Sequence, residues 1–415
     1  MAMDGRPPCP GDRHPSLNGI RAVSSARAVS TAGYRTMTEQ LPSSLFALLG
    51  QLNSEGTTGF EKYKRVRRYI QFKARERGVP VCGTFELTPQ CNLSCRMCYV
   101  RLDKQQMKGR ELLPASVWNS MIDQAVDAGM MYASVTGGEC LTYEGFREVY
   151  LHLLSKGVEV DLLTNGILLT EETVSFLDAH PPASIQITLY GPDEDEYEQV
   201  TGHRAFQKVM DGMARLKAHK LPFTVAVTPN HYMTKPRELV RLLYELDVPF
   251  AINSGLKTPR EETGRRLWEA SLDTYIDLYD EDRRLGGGRP LRTIPDEDLP
   301  DPGGPGDAGT KAERGVQCAA GRSSFCVTWN GRIRPCNSFP GIEEDVLKLG
   351  FKEAWESINR QVREVPCPVE CRGCRYEKVC KHCIIEHLER GRPGHADPAV
   401  CAHVRRLVKE GFVHL

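Results

Sequence analysis

Cys91-Asn92-Leu93-Ser94-Cys95-Arg96-Met97-Cys98 holds three cysteines at the spacing C-x3-C-x2-C, directly after a strand-like run at 81–88. Three thiolates in one short loop can hold three irons of a cubane cluster, leaving the fourth iron open to a small molecule. A structural zinc would ask for four protein ligands instead. A second set of thiols lies far downstream. Twelve residues separate Cys318 from Gly331, and four separate Gly331 from Cys336. Cys326 falls inside the first interval. Cys371-x2-Cys374-x5-Cys380-x2-Cys383 follows, then Cys401. Cys371, Cys374, Cys380 and Cys383 alone also suit a four-cysteine zinc knuckle, although the five-residue gap is short for a zinc ribbon. Cys9, Cys82, Cys140 and Cys367 remain, and free cysteines are ordinarily small core hydrophobes. His382 and His403 sit among the tail cysteines and read as packing residues.

These loops need elements to hold them. From residue 81 strand-like runs (81–88, 132–136, 158–164, 184–190, 223–228, 249–253) alternate with amphipathic helix-like runs (115–128, 143–155, 171–178, 205–218, 235–246). Strands alternating with helices predict parallel βαβ units. Six such units make a partial (β/α) barrel, in which the loops at the carboxyl ends of the strands build the active site. Short motifs close several of those strands: Thr136-Gly137-Gly138-Glu139, Thr164-Asn165-Gly166 and Thr188-Leu189-Tyr190-Gly191-Pro192.

The flanking segments differ. Residues 1–40 are rich in Pro, Arg and Ser and poor in apolar anchors, which predicts a disordered leader, a transit peptide, or sequence ahead of a true start at Met37. Residues 41–80 form an N-terminal helical segment. Within it, Phe60, Tyr63, Val66 and Ile70 predict the inward stripe of a helix at 60–78. Lys62, Lys64, Arg65, Arg67, Arg68 and Lys73 make either a solvated face or a patch for an acidic peptide. The barrel spans 81–283, a Gly/Pro-rich linker 284–315, and a cysteine-dense tail with little periodicity 316–415.

The chain has 415 residues, 40% hydrophobic and 26% charged, so it can bury a sizeable core. Lys+Arg and Asp+Glu both number 54, and a neutral chain lacks the basic surplus of a nucleic-acid binder. No apolar run approaches the roughly 18 residues of a membrane span. Fifteen cysteines without a signal peptide point to metal or iron–sulfur ligation in a reducing cytoplasm.

The order of motifs resembles the radical S-adenosylmethionine (radical SAM) enzymes, whose signature is C-x3-C-x2-C after the first barrel strand. The likeness covers about residues 81–255 and implies an α/β fold, a partial (β/α)6 TIM-like barrel. By this resemblance Gly137, Gly138 and Glu139 bind the methionine amino group of the cofactor. The glycines let the backbone approach, and Glu139 accepts from the ammonium. Asn165 and Thr188 line the ribose and carboxylate pocket. Met97 stands where relatives usually carry an aromatic residue, and its thioether can fill that place. The tail, about residues 316–405, resembles the SPASM extension, with one spacing shorter by a residue before Cys383. This implies auxiliary cluster I on Cys318, Cys336 and Cys383, with Cys326 as fourth ligand, and auxiliary cluster II on Cys371, Cys374, Cys380 and Cys401. With the radical-site cluster on Cys91, Cys95 and Cys98, three 4Fe–4S clusters are expected.

SPASM relatives mostly act on peptides or proteins. Sulfatase maturases carry an Asp base directly after the second cysteine of the first tail motif. Here that position is Asn337, which does not accept a proton at neutral pH. The enzyme that starts pyrroloquinoline quinone synthesis replaces one auxiliary II cysteine by Asp, where this chain has Cys380. Maturation of a ribosomally made precursor peptide is therefore the expectation. A radical enzyme acting on a small cofactor precursor is the alternative, and a non-catalytic electron carrier is disfavoured by the intact Gly-Gly-Glu motif. Expected partners are the peptide, a flavodoxin- or ferredoxin-type electron donor, and a separate leader-binding protein unless the basic helix serves that role. The expected location is cytoplasmic.

Overall fold

Six short runs rich in apolar and β-branched residues become parallel strands because they bury side chains under helices. In the computed structural model, which describes residues 59–253, 270–287 and 315–412 save 317, 377–378, 381–382 and 391–393, the chain runs through alternating elements. They are α1 (Gly59–Arg77), β1 (Cys82–Glu86), α2 (Ala115–Asp127), β2 (Tyr132–Thr136), α3 (Phe146–Ser155), β3 (Glu159–Thr164), α4 (Glu171–Ala179) and β4 (Ser184–Leu189). Then come α5 (Glu194–Thr201), α6 (Phe206–Ala218), β5 (Phe223–Val227), α7 (Pro236–Glu245), β6 (Phe250–Ile252) and α8 (Leu272–Asp282). The tail supplies β7 (Ser324–Val327), β8 (Arg332–Arg334), β9 (Glu344–Asp345), α9 (Val346–Leu349), α10 (Phe351–Glu364), α11 (Ile384–Arg390) and α12 (Pro398–Lys409). The leader at 1–40 and nearly all of the linker at 284–315 lie outside the described residues, as do Cys9 and His382.

All the strands form one sheet, in the order β6-β5-β4-β3-β2-β1-β7-β8-β9. Strands β1 to β6 are the barrel strands expected from the sequence. The expected tail boundary at 316 is crossed by the sheet itself: β7 pairs in parallel with β1, Cys82 opposite Ser324 and Thr84 opposite Cys326. The tail also has more helical periodicity than its cysteines suggest. Phe351, Ala354, Trp355, Ile358 and Val362 make the buried stripe of α10. That helix docks on the barrel through the Trp355 indole N–H to the Gly78 carbonyl, 2.8 Å, and the Phe351 N–H to Gln124 Oε1, 2.9 Å.

The outer face of the sheet is apolar and buried: Phe85, Val135, Leu162, Ile187, Val225 and Phe325 are at most 1% exposed. Phe85 meets Trp118 and Phe325 edge-on, and Phe325 meets Phe351 in the same way. The other face carries polar side chains in register across the strands, as in the layers of a barrel interior. One row is Cys326, Thr84, Ser134, Asp161 and Ser184.

Helix α1 presents a different face from the stripe read off the sequence. Tyr63 and Val66 are exposed, and Phe60's side chain lies outside the described residues. Arg67 and Gln71 turn inward instead. Arg67 pairs with Glu159 at 2.6 Å, reaches Asp161 at 3.6 Å and stacks over Tyr132 at 4.5 Å. Gln71 Nε2 donates to Cys82 Sγ, 3.4 Å. Charge pairing at the barrel floor outweighs burial of two apolar side chains, so tertiary contacts override the periodicity. Among the described residues no helix is long and apolar enough to cross a membrane.

Candidate functional site

The loop after β1 carries Cys91, Cys95 and Cys98, none of them disulfide-bonded. Backbone N–H groups already point at two of the sulfurs: Leu93 N–H at Cys91, 3.4 Å, and Arg101 N–H at Cys98, 3.2 Å. Such bonds suit thiolate sulfur and help set the potential of an iron–sulfur centre. Tyr190 lies beside Cys95 at the Met97–Val200 cluster. Burial pushes the Cys91 thiol up to about 11, with Glu139 and Cys98 adding to the rise. Burial first, then Cys98 and Cys91, pushes Cys95 up as well. Cys91 and Cys95, which resist ionising, and sulfurs that face backbone N–H donors fit a cationic centre that releases thiol protons on binding. Among the described residues no three Cys, His, Asp or Glu side chains converge to hold a single ion. Thiolates that each take a different iron of a cubane need no such convergence.

The loop after β2 is laid against the segment leading into this one. A Cβ on Gly137 would lie 2.6 Å from the Thr88 carbonyl oxygen, and one on Gly138 only 2.3 Å from that of Gln90. The close approach is sealed by Gly138 N–H to Thr88 O and Glu139 N–H to Gln90 O, 2.6 and 2.9 Å. The glycines thus serve backbone docking between two loops, one of them bearing the thiols.

Glu139 is held by the protein's own donors. Its side chain is enclosed, 1% exposed. Oε1 accepts from Leu141 N–H, 3.1 Å, and the Thr164 hydroxyl, 2.9 Å, with the Cys140 thiol at 3.7 Å. Oε2 accepts from Asn165 N–H, 2.7 Å. Burial raises its pKa while these donors pull it back. Glu139 is therefore a strut between the loops after β2 and β3. Cys140 also donates to the Leu163 carbonyl, 3.3 Å, which makes it part of the same brace.

Asn165 completes the stitching. Its side-chain amide donates to Asn92 Oδ1 at 2.7 Å and approaches Cys91 Sγ at 3.6 Å. Thr188, half-buried on the inner face near the end of β4, lies opposite Ala226 of β5. Met97 is buried with Val200, against Cys95, Tyr190 and Tyr232.

Helix α5 is absent from the sequence-based element list, yet it clasps the thiol loop. Ser94 N–H bonds Thr201 O and Arg96 N–H bonds Val200 O, 2.9 and 3.1 Å. Ser94 Oγ meets His203 Nε2 at 3.2 Å, and Arg96 lies over Tyr232. The signal was present: Asp193 caps the helix by accepting from Glu196 N–H, 3.0 Å, the Asp-x-x-Glu form of a capping box.

In the tail, Cys326 is buried on β7 opposite Arg334, two residues short of Cys336. Gly321 N–H bonds Pro335 O, 3.1 Å, which brings the turn after exposed Cys318 beside Cys336. Cys383 lies just before α11 and packs, like Cys336, against the shared core. In the second group burial, followed by Cys367, Cys380, Cys401 and Cys374, pushes Cys371 up to about 12. Buried Cys367 thus joins the four cysteines read from the sequence. His403 packs edge-on against Tyr275. Asn337 donates to the Tyr99 hydroxyl, 2.8 Å, tying the tail to the thiol loop.

Residues 85–228 match the Radical SAM superfamily. The chain is similar to the AdoMet-dependent heme synthase of Methanosarcina barkeri, 25% identical over 317 residues, covering 72% of this chain and 89% of the relative. It is similar to the PqqA peptide cyclase of Bradyrhizobium diazoefficiens, 24% identical over 321 residues, covering 73% and 80%. In fold it is similar to Streptococcus suis SuiB bound to S-adenosylmethionine, with a TM-score of 0.62 at 17% identity, covering 89% of this chain and 88% of SuiB. SuiB has also been solved bound to its precursor peptide, SuiA.

Proposed function

Because the chain belongs to the radical SAM superfamily through residues 85–228, we propose that it is a radical SAM peptide maturase with auxiliary clusters in its tail. The observation that carries this reading is the stitching of three loops at the carboxyl ends of β1, β2 and β3 around Cys91, Cys95 and Cys98. Cys91, Cys95 and Cys98 would hold a 4Fe–4S cluster, which would supply the electron for reductive cleavage of S-adenosylmethionine and so for hydrogen abstraction from the substrate. The backbone at Gly137, Gly138 and Glu139, with Asn165 and Thr188, cradles S-adenosylmethionine. Glu139 fixes that cradle through its carboxylate and offers the cofactor only main-chain groups. Asn165 fixes the thiol loop relative to the loop after β3. Cys318, Cys326, Cys336 and Cys383 hold one auxiliary cluster, and Cys371, Cys374, Cys380 and Cys401 the other. Asn337 orients the substrate or the Tyr99 loop by hydrogen bonding, since an amide is no base.

Likeness to a peptide cyclase and, in fold, to a peptide-binding maturase supports a ribosomally made precursor peptide as substrate. A flavodoxin- or ferredoxin-type donor supplies the electron. Helix α1 commits Arg67 to the barrel floor, which favours a separate leader-binding protein over recognition by that helix face. Similarity to a heme synthase favours a second reading, a small cofactor precursor as substrate. The test is anaerobic incubation of the reconstituted protein with S-adenosylmethionine, a reductant and a peptide encoded beside its gene. Release of 5′-deoxyadenosine with a mass change in the peptide supports maturation. Release without peptide change moves the substrate to the small-molecule class, and no release removes the radical reading.

A further inference from the structure

Beneath the proposed radical site, the inner face of the sheet lines a partly open cavity of about 260 Å3. At roughly 30 Å3 per water, that is room for a long side chain. Three of its lining side chains stand in one register: Thr84 on β1, Ser134 on β2 and Asp161 on β3. Adjacent strands lie about 4.8 Å apart, so Ser134 and Asp161 stand side by side on the cavity wall, with Thr84 one strand further on. Cys336 and Asn337 line the same cavity.

The charge at the floor is unbalanced. Arg67 faces two carboxylates, so one positive charge against two negative ones leaves a net negative charge. Its shorter contact goes to Glu159, 2.6 Å, and its contact to Asp161 is 3.6 Å. Asp161 keeps a carboxylate turned to the cavity, with its side chain 31% exposed. Burial raises its pKa while Arg67 lowers it, the behaviour of a carboxylate short of counter-charge.

We propose that this cavity is a side-chain pocket for a primary ammonium group, a lysine of the substrate peptide, held by Asp161 and the neighbouring Ser134, with Thr84 lining the wall one strand further on. The chemistry matches: an ammonium carries donors and no acceptor, and the wall offers hydroxyl and carboxylate acceptors and a carboxylate that shares its one cation with Glu159. A carboxylate would meet Asp161 with Arg67 already engaged. An apolar side chain would leave these oxygens without partners. The lysine assignment rests on the peptide reading above, whereas the ammonium pocket does not.

The test uses the cluster-loaded protein and small probes in calorimetric titration: n-butylammonium, butyramide and butyrate. Saturable binding is expected for n-butylammonium alone, weakened at least tenfold by Asp161→Asn. Cluster content and circular dichroism report whether that variant folds. If it does not, the double variant Thr84→Val, Ser134→Ala removes two acceptors without touching the charge pair, and weakening of several-fold is expected. Equal binding of butyramide or butyrate, no binding of n-butylammonium, or unchanged affinity in a folded variant overturns the pocket. Release of 5′-deoxyadenosine is measured in parallel, so failure of the radical reading and failure of the pocket are read separately. If n-butylammonium binds but no peptide is modified, the pocket stands and its ligand is a small amine.

Discussion

Replacing Glu139 by Gln separates a strut from a cofactor ligand. The amide offers one oxygen where the carboxylate offers two. If that oxygen takes the Oε1 position, it keeps Leu141 N–H and the Thr164 hydroxyl, and the new NH2 faces Asn165 N–H, whose bond was 2.7 Å. A hydrogen bond to a charged group, worth roughly 1.5–3 kcal/mol, is lost and a buried donor goes unpaired. Burying a neutral amide costs less than burying a charge, which offsets part of this. A net loss of about 2–3 kcal/mol is expected, and at about 1.4 kcal/mol per decade it lowers protection of the Asn165 amide by roughly a hundredfold. The Asn165 side chain touches Asn92 and Cys91, so protection in the thiol loop falls with it. Hydrogen exchange read by mass spectrometry on the cluster-loaded protein measures both. If Glu139→Gln weakens S-adenosylmethionine binding while exchange at residues 91–98 and at Asn165 is unchanged, the carboxylate contacts the cofactor and the strut is refuted.

Gly138→Ala drives a Cβ to within 2.3 Å of the Gln90 carbonyl oxygen, a backbone clash that costs about 3 kcal/mol and displaces the thiol loop. Iron content should fall by one cluster's worth, and full iron content would show that the 88–90 segment gives way freely. Cys326→Ala should cost the iron of one auxiliary cluster while leaving S-adenosylmethionine cleavage intact, and a full auxiliary load removes Cys326 from the ligand set. Glu281, 1% exposed, is held by Arg284 and Arg241 at a pKa of about 2, below the usual glutamate value. Its stabilisation is present above the unfolded-state pKa and lost as the pH falls from about 4.5 towards 2. Glu281→Gln should flatten the acid limb of the unfolding curve by at most about 3 kcal/mol, less the solvent screening of the two partly exposed arginines, and an unchanged limb rejects the assignment.

The barrel strands were legible because short strand-like runs alternate with amphipathic helix-like runs, a pattern that needs no partner to be visible. The thiol loop and the glycine pair were legible from spacing. The reason for the glycines was not, because the atoms that forbid a Cβ belong to Thr88 and Gln90, some fifty residues earlier. The partners of Glu139 were hidden for a related reason. Its donors, Thr164 and Asn165, arrive from the next strand, and a sequence shows a carboxylate without its partners. Strand β7 was hidden because its parallel partner β1 lies more than two hundred residues away, while its own short run is broken by Cys326.

That pairing changes what the tail is for. A separate cluster domain joined by a linker would leave the edge of β1 open. Instead β7 covers it, α10 buries Phe325 and Trp355 beside it, and Asn337 reaches the Tyr99 hydroxyl at the end of the thiol loop. On the opposite side, α1 closes the floor through Arg67. The lumen is therefore walled by segments from both ends of the described chain. A perturbation of the tail near Cys336 has a direct physical route to the loop of Cys91, Cys95 and Cys98, through one hydrogen bond and one shared sheet edge.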